Sequence, residues 1–282
     1  MTTLYGMPGI QTITSAANPL LRDVRRAISR GERTAEGLSI AEGFHLLEEA
    51  LRSGCEVPVV LASEACRETV ERQVRGLSST RVAVLSAPLF QSIASTETPQ
   101  GVMALVRMPQ WSTDQVFRGA SLVVVIDGLQ DPGNAGTIVR AAEAFGATGL
   151  LFLKGSASPY HPKTLRASAG SLFRLPFVAG LDAALAKATL RQHRVGVYAA
   201  MPFAPERRQA TATDFVRRCA IIVGSEGRGI SKELYGLGED VVIPTTGVES
   251  LNAAVATSVL LYEASRQRRE AGRLQARQER AV

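Results

Sequence analysis

Between residues 121 and 244 the chain carries four short, unbroken apolar runs: "SLVVVI" (121–126), "GLLFL" (149–153), "CAIIVG" (219–224) and "DVVIP" (240–244). A strand with one wet face alternates apolar and polar residues, because successive side chains point to opposite sides. Continuous apolarity instead fits strands covered on both faces, the situation of a parallel sheet sandwiched between helices. Helical stretches separate these runs, and that alternation predicts an α/β domain built on a parallel sheet.

The first part of the chain reads as a smaller α/β unit. "NPLLRDVRRAISRG" (18–31) predicts a helix with Asn18 as its cap and Pro19 at its first position. Strand-like runs "VPVVLA", "RVAVL" and "GVMALV" then alternate with helical segments such as "HLLEEALRSG" and "RETVERQVRGL". A length of 282 residues fits one large domain or two ordinary ones, and the seam falls near "RMPQWSTDQVFRGA" (107–120).

Charge and rare residues narrow the function. Lys and Arg outnumber Asp and Glu by 32 to 26, a net +6 that favours a polyanionic partner such as nucleic acid. Cys55, Cys66 and Cys219 are far apart and form no CxxC pair, which speaks against a disulfide framework or a zinc site. His45, His161 and His193 are equally scattered, so no metal is expected. No apolar run approaches the ~20 residues of a membrane span. The start "MTTLYGMPGI" lacks the pattern of a signal peptide, and a cytoplasmic location is expected. The final helix, predicted from near Ser250, carries six Arg against two Glu from Arg266 onward. A solvated helix end and an RNA contact both fit that bias.

Ligands of open α/β sheets sit where loops leave the carboxyl ends of strands. Three such loops are chemically unusual: "DGLQDPGN" (127–134), "GSEGRGIS" (224–231) and "PTTGVESLN" (244–252). Their glycines let backbone approach a ligand closely. The GxxGxG spacing of the second loop is not the dinucleotide fingerprint GxGxxG, and no GxxxxGK[ST] phosphate loop occurs. Neither a GxSxG elbow nor a Ser-His-Asp set is present. Asn, Arg, Glu, Ser and backbone amides remain, positioning groups suited to transferring an already activated group.

Together, "NAGTIVRAAEAFGA", "IVGSEGRGIS" and "IPTTGVESLNAAVATSVLLYEA" resemble the three signature motifs of the SpoU (TrmH-type) RNA 2′-O-ribose methyltransferases. "NPLLRDVRRAISR", "LSIAEGFHLLEEAL" and "STETPQGVMALV" are similar to the L30e-like RNA-binding domain preceding the catalytic domain in many members. The resemblance implies an α/β, trefoil-knotted methyltransferase domain over residues 121–282, an RNA-binding domain over 1–108 and a linker over 109–120. It also implies S-adenosylmethionine as cofactor, an RNA substrate, ribosomal more than transfer RNA, and a homodimer. From Ile243 to Leu251 the third loop is one residue shorter than the usual pattern.

By the same resemblance Asn134, Arg140, Glu226, Ser250 and Asn252 carry the transfer, and Gly224, Ser225, Gly227, Ile243, Leu251 and Asn252 hold the cofactor. Arg140 is expected to clamp a substrate phosphate, since a guanidinium seldom gives up its proton. Structural roles stand beside these: Asn134 or Ser250 as helix caps, Ile243 and Leu251 as core. His161 is expected to be a surface residue beside Pro162. Arg22, Arg25, Arg26 and Arg30 recur at helical spacing and, with Lys163 and Arg166, are candidates for RNA phosphates, although solvated arginines would look the same. Two competitors remain: an RNA-binding protein that has lost catalysis, and a nicotinamide-dependent dehydrogenase, which the missing fingerprint disfavours.

Overall fold

A computed structural model describes residues 9–225 and 227–279, the side chains of 277–279 excepted. They form two compact units. One runs to Gln110 and takes in Ser158–Arg174; the other consists of Trp111–Ala157 and the chain from Leu175 onward.

The first unit holds a sheet of β1 (Gly9–Ile13), β2 (Ser39–Glu42), β3 (Glu56–Ser63), β4 (Arg81–Leu85) and β5 (Val102–Arg107) in the order β1-β4-β3-β5-β2. β4 runs parallel to both its neighbours, whereas β5 is antiparallel to β3 and β2. Its helices are α1 (Pro19–Arg30), α2 (Phe44–Arg52), α3 (Arg67–Gln73) and α4 (Ala87–Gln91). α1 starts as its sequence dictates: Asn18 Oδ1 accepts from the Leu20 N–H at 2.9 Å. It stops at Gly31, whose φ of +63° is open to glycine without strain. Leu20, Leu21, Val24 and Ala27 on one face of α1 join Ile40, Val59, Leu61, Leu85 and Phe90 in a common core. Each fully buried large apolar side chain contributes about 1.5–3 kcal/mol.

In the second unit α5 (Thr113–Val116), β6 (Leu122–Ile126), α6 (Pro132–Ala144) and β7 (Gly149–Leu153) come first. The chain then leaves for the first unit, where it forms α7 (Pro162–Ser168) against β2. It returns as β8 (Phe177–Leu181), α8 (Ala183–Gln192), β9 (Gly196–Ala200), β10 (Arg208–Gln209), β11 (Cys219–Val223), β12 (Glu239–Val242) and α9 (Ala253–Glu279). The strand order is β10-β12-β9-β11-β6-β7-β8, every pair parallel, as the apolar runs predict. All five residues of β6, β7 and β11 are buried.

Two boundaries are set by packing rather than by composition. Residues 109–120, read from the sequence as a linker, carry α5, whose Val116 and the following Phe117 are buried in the second unit's core. The excursion Ser158–Arg174 interrupts the segment read as catalytic. Its Arg174 pairs with buried Glu49 at 2.5 Å.

α9 is held near its middle by one side chain. Arg268 donates to the carbonyls of Phe215, Ala120, Ser121 and Arg217 at 2.8, 2.5, 3.0 and 2.8 Å. That arginine is partly buried and its guanidinium is committed to backbone carbonyls. Arg266, by contrast, lies on the surface between Glu263 and Glu270. Burial pushes the nearby Cys219 thiol up to about 11, against the opposing pull of Arg268. Among the described residues the cysteines are unpaired, no group of His, Cys, Asp and Glu is placed to hold a metal, and no helix is long and apolar enough to cross a membrane.

Candidate active site

The three unusual loops meet at one end of the second sheet. The loop after β11 folds back on itself, with Ser225 N–H donating to Gly229 O at 3.0 Å and Gly229 N–H to Ser225 O at 2.9 Å. Gly229 has φ +67°, a conformation other residues rarely adopt. At Gly224 the demand is space: a Cβ would lie 2.3 Å from the Gly229 carbonyl carbon and 2.6 Å from the Ile230 nitrogen. This glycine is therefore fixed first by the closure of its own loop.

Asp127, which sequence reasoning passed over, ties the first loop to the end of the second. It is buried, and its Oδ2 accepts from the Ser231 N–H at 2.6 Å and from the Ser231 hydroxyl. Beside it Ser156 Oγ accepts from Gly128 N–H and donates to the Ile126 carbonyl, both at 2.9 Å.

The start of α6 is capped by Asp131, whose Oδ2 accepts from the Asn134 N–H at 2.9 Å. Asn134 is thus in the first turn and is not the cap. Its side chain meets the third loop, for Asn252 Nδ2 donates to Asn134 Oδ1 at 3.2 Å. Asn252 Oδ1 accepts from the Ala254 N–H at 2.9 Å and so caps α9. Ser250 lies two residues earlier and does not fill the cap position expected for it. Arg140 is exposed on α6, about 9 Å along the axis from Asn134 at 1.5 Å rise per residue. Glu226 lies outside the described residues.

Against these loops lies a cavity of about 390 Å³ at the carboxyl ends of β9, β11 and β12. Gly224, Ser225, Gly227, Ile243, Ser250 and Leu251 line it. Asn252 is not among the lining residues but stands between two that are, Leu251 and Ala253. Ala200, Met201, Pro202, Phe203 and Tyr235 also belong to the wall and escaped sequence reasoning. The first four are the last residue of β9 and the three after it, and the small residues of that strand give little strand signal. The volume falls in the range of small-molecule sites, and a mainly apolar wall with glycine-rich backbone on one side suits a nucleoside. The residues present fit S-adenosylmethionine.

The cations proposed for RNA divide into two groups within the first unit. Arg25 donates to Ala16 O at 2.9 Å and Ser92 Oγ at 3.2 Å, and Arg26 pairs with Asp23. Arg166 donates to Ser95 Oγ at 2.6 Å and sits 3.7 Å from the buried carboxylate of Glu42. These three stiffen the fold. Arg22, Arg30 and Lys163 are exposed. His161 caps α7, its Nδ1 accepting from the Lys163 N–H at 3.0 Å. Partial burial, then Arg166 and Lys163, hold its pKa below the ordinary histidine value.

Comparison with known proteins agrees with this geometry. The model of the SpoU rRNA Methylase family matches residues 121–262, and that of the MRM3-like substrate binding domain matches residues 18–104. A 23S rRNA guanosine 2′-O-methyltransferase of Bacillus subtilis is 33% identical over 258 residues, 90% of this chain and 98% of that protein. The SpoU methyltransferase AviRb from Streptomyces viridochromogenes, solved in complex with the cofactor AdoMet, superposes with a TM-score of 0.76. It is 29% identical, over 90% of this chain and all (100%) of that one. An AdoMet-bound rRNA methyltransferase from Sinorhizobium meliloti gives 0.77 at 27% identity, over 91% and 98% of the two chains. The chain belongs to the SpoU rRNA methylase family and is a methyltransferase.

Proposed function

We propose that this protein is an S-adenosylmethionine-dependent 2′-O-ribose methyltransferase acting on ribosomal RNA. The observation that carries the reading is the convergence of the three loops at one cavity, with Asn252 bonded to Asn134 across 118 residues of sequence. The relatives named for ribosomal RNA support that substrate over transfer RNA. A dehydrogenase reading has no support in these loops.

When bound, S-adenosylmethionine supplies a methyl group already activated as a sulfonium. The work of the chain is then to hold a ribose hydroxyl in line and to help it lose a proton. The loop closed by Ser225 and Gly229, together with Ile243 and Leu251, holds the adenosine part. Asn134 and Asn252 fix the junction between donor and ribose, with Ser250 on the same loop as Asn252; the family resemblance assigns Glu226 to the same transfer. Arg140 grips the phosphate next to the reacting ribose through its planar fork. The hydroxyl proton passes to that phosphate or to a transiently neutral arginine. The trefoil knot implied by the family is part of this proposal.

The first unit is the RNA-binding part, with Arg22, Arg30 and Lys163 on its surface. A homodimer completes the reading. α9 presents Val255, Val259 and Tyr262, which are 50%, 39% and 54% exposed, beside Thr137 of α6 and Phe145 at its C-terminal end. Such an apolar stripe on an otherwise well-packed unit is typical of a covered surface. Sedimentation should show a dimer that Val259→Arg converts to monomer.

The test of function is direct. Ribosomal RNA from cells lacking the gene should accept labelled methyl from S-adenosylmethionine at one site, and RNA from wild-type cells should not. Methyl transfer to transfer RNA alone would overturn the ribosomal assignment. No transfer to any RNA, with S-adenosylhomocysteine still bound, would favour the binding-only alternative.

A further inference from the structure

The excursion Ser158–Arg174 contributes more than packing to the first unit. α1 ends hard against it: a Cβ on Gly31 would lie 2.4 Å from His161 Cδ2. Just beyond that contact Arg33 is exposed, with its guanidinium carbon 4.5 Å from the centre of the Tyr160 ring. Arg30 on α1 and Lys163 on α7 are exposed on the same two segments. The depressed pKa of His161 reflects, after burial, the positive field of Arg166 and Lys163.

Glu32 is exposed next to Arg33 in the chain, so charge alone makes this a weak surface for a polyanion. What distinguishes it is shape. A guanidinium laid over an aromatic ring loses much of its rotational freedom and presents a flat outer face. Unpaired RNA bases stack on such arginine planes as they do on aromatic rings. We infer that Arg33, supported by Tyr160, is a stacking platform for an unpaired base of the RNA substrate. Tyr160 acts as a positioning residue. The inference rests on the reading of the first unit as RNA-binding, and it brings a segment inside the methylase motif region into substrate recognition.

The test uses the full chain and two probes: deproteinised ribosomal RNA, and an unstructured 20-nucleotide oligoribonucleotide carrying 2-aminopurine. Arg33→Ala should weaken oligonucleotide binding by about fivefold or more, the lower range for loss of one stacked base. It should also abolish part of the fluorescence change on binding. Arg33→Lys keeps the charge and should keep the salt dependence, yet lose the same fluorescence change. Tyr160→Leu should behave like the lysine variant, and Tyr160→Phe, which keeps the ring, should restore wild-type behaviour. S-adenosylhomocysteine binding should be the same in every variant, which separates this effect from misfolding. If wild type binds RNA and all four variants match it, the platform is refuted and the RNA-binding reading survives. Arg33→Lys matching wild type in affinity and fluorescence would reduce Arg33 to a charge and also refute the platform. If wild type binds S-adenosylhomocysteine and no RNA, both readings fall together.

Discussion

Removing residues 1–108 tests how the units are built, because it strips the excursion Ser158–Arg174 of the surfaces it packs on. Leu165, Leu172 and Phe173 are at most 1% exposed. Uncovering three such side chains forfeits about 1.5–3 kcal/mol each, or roughly 5–9 kcal/mol together. That is comparable with the whole stability of a domain, about 5–15 kcal/mol. Two ion pairs go as well: Arg174 loses Glu49, and Arg166 loses Glu42 and the Ser95 hydroxyl. The seven residues of α7 cannot stay helical alone, since isolated helices need about 12–15 residues even to be marginal. The truncated chain should therefore carry a sticky, unfolded insertion between β7 and β8. Hydrogen exchange should find the α7 amides unprotected, and the protein should bind an apolar dye and precipitate readily. A second truncation, with residues 158–174 replaced by a short Gly-Ser linker, should be soluble and bind S-adenosylhomocysteine. Full protection of α7 in the simple truncation would refute the reasoning, because α7 would then be held by something outside residues 1–108.

Other outcomes follow from the site. Arg140→Ala should lower methyl transfer by at least ~10²-fold with S-adenosylhomocysteine affinity near wild type, and Arg140→Lys, which lacks the fork, should be badly impaired in a single-turnover assay. Gly224→Ala places its Cβ against Gly229 and Ile230 backbone. Overpacking of this kind costs about 1–3 kcal/mol. Calorimetry should show weakened S-adenosylhomocysteine binding together with a lowered melting temperature. His161 has a depressed pKa in the folded chain, so the unfolded chain takes up its proton first as the pH falls below about 6.5. Its neutral form caps α7, and the first unit should lose stability with falling pH through that window and none above it. Denaturant titrations of His161→Asn, which still caps but does not titrate there, should lack that component.

How much of this was legible in the chain depends on where each signal is stored. β6, β7 and β11 announced themselves because burial on both faces writes a continuous apolar run. β9 lies between β12 and β11, yet "GVYAA" holds a glycine and two alanines, and pairing rather than composition makes it a strand. Missing it meant missing the cavity wall from Ala200 to Phe203. β1 was missed for the opposite reason, since an edge strand exposed over four of its five residues carries no hydrophobic pattern. The excursion was invisible because Leu165, Leu172 and Phe173 suit either core equally well. Apolar residues say that a segment is buried, not against what.

The junction of Asn134 and Asn252 was legible only through the motif resemblance, although its chemistry is recoverable from the residues once they are seen together. Serine, threonine, aspartate and asparagine all cap helices, so the start of α9 alone does not require Asn252. The second contact does. One end of the side chain must accept from the Ala254 N–H while the other donates to Asn134 Oδ1. An aspartate offers two acceptors and no donor, and would set a carboxylate against that oxygen. A serine has a single oxygen for both partners and a shorter reach. The carboxamide alone pairs an acceptor and a donor across its width, and using the acceptor in the cap fixes which way the donor points. Asp131 completes the logic on the other side. By taking the cap of α6 it releases Asn134 from that duty, so the asparagine that a lone sequence would have spent on starting a helix is turned instead toward the third loop.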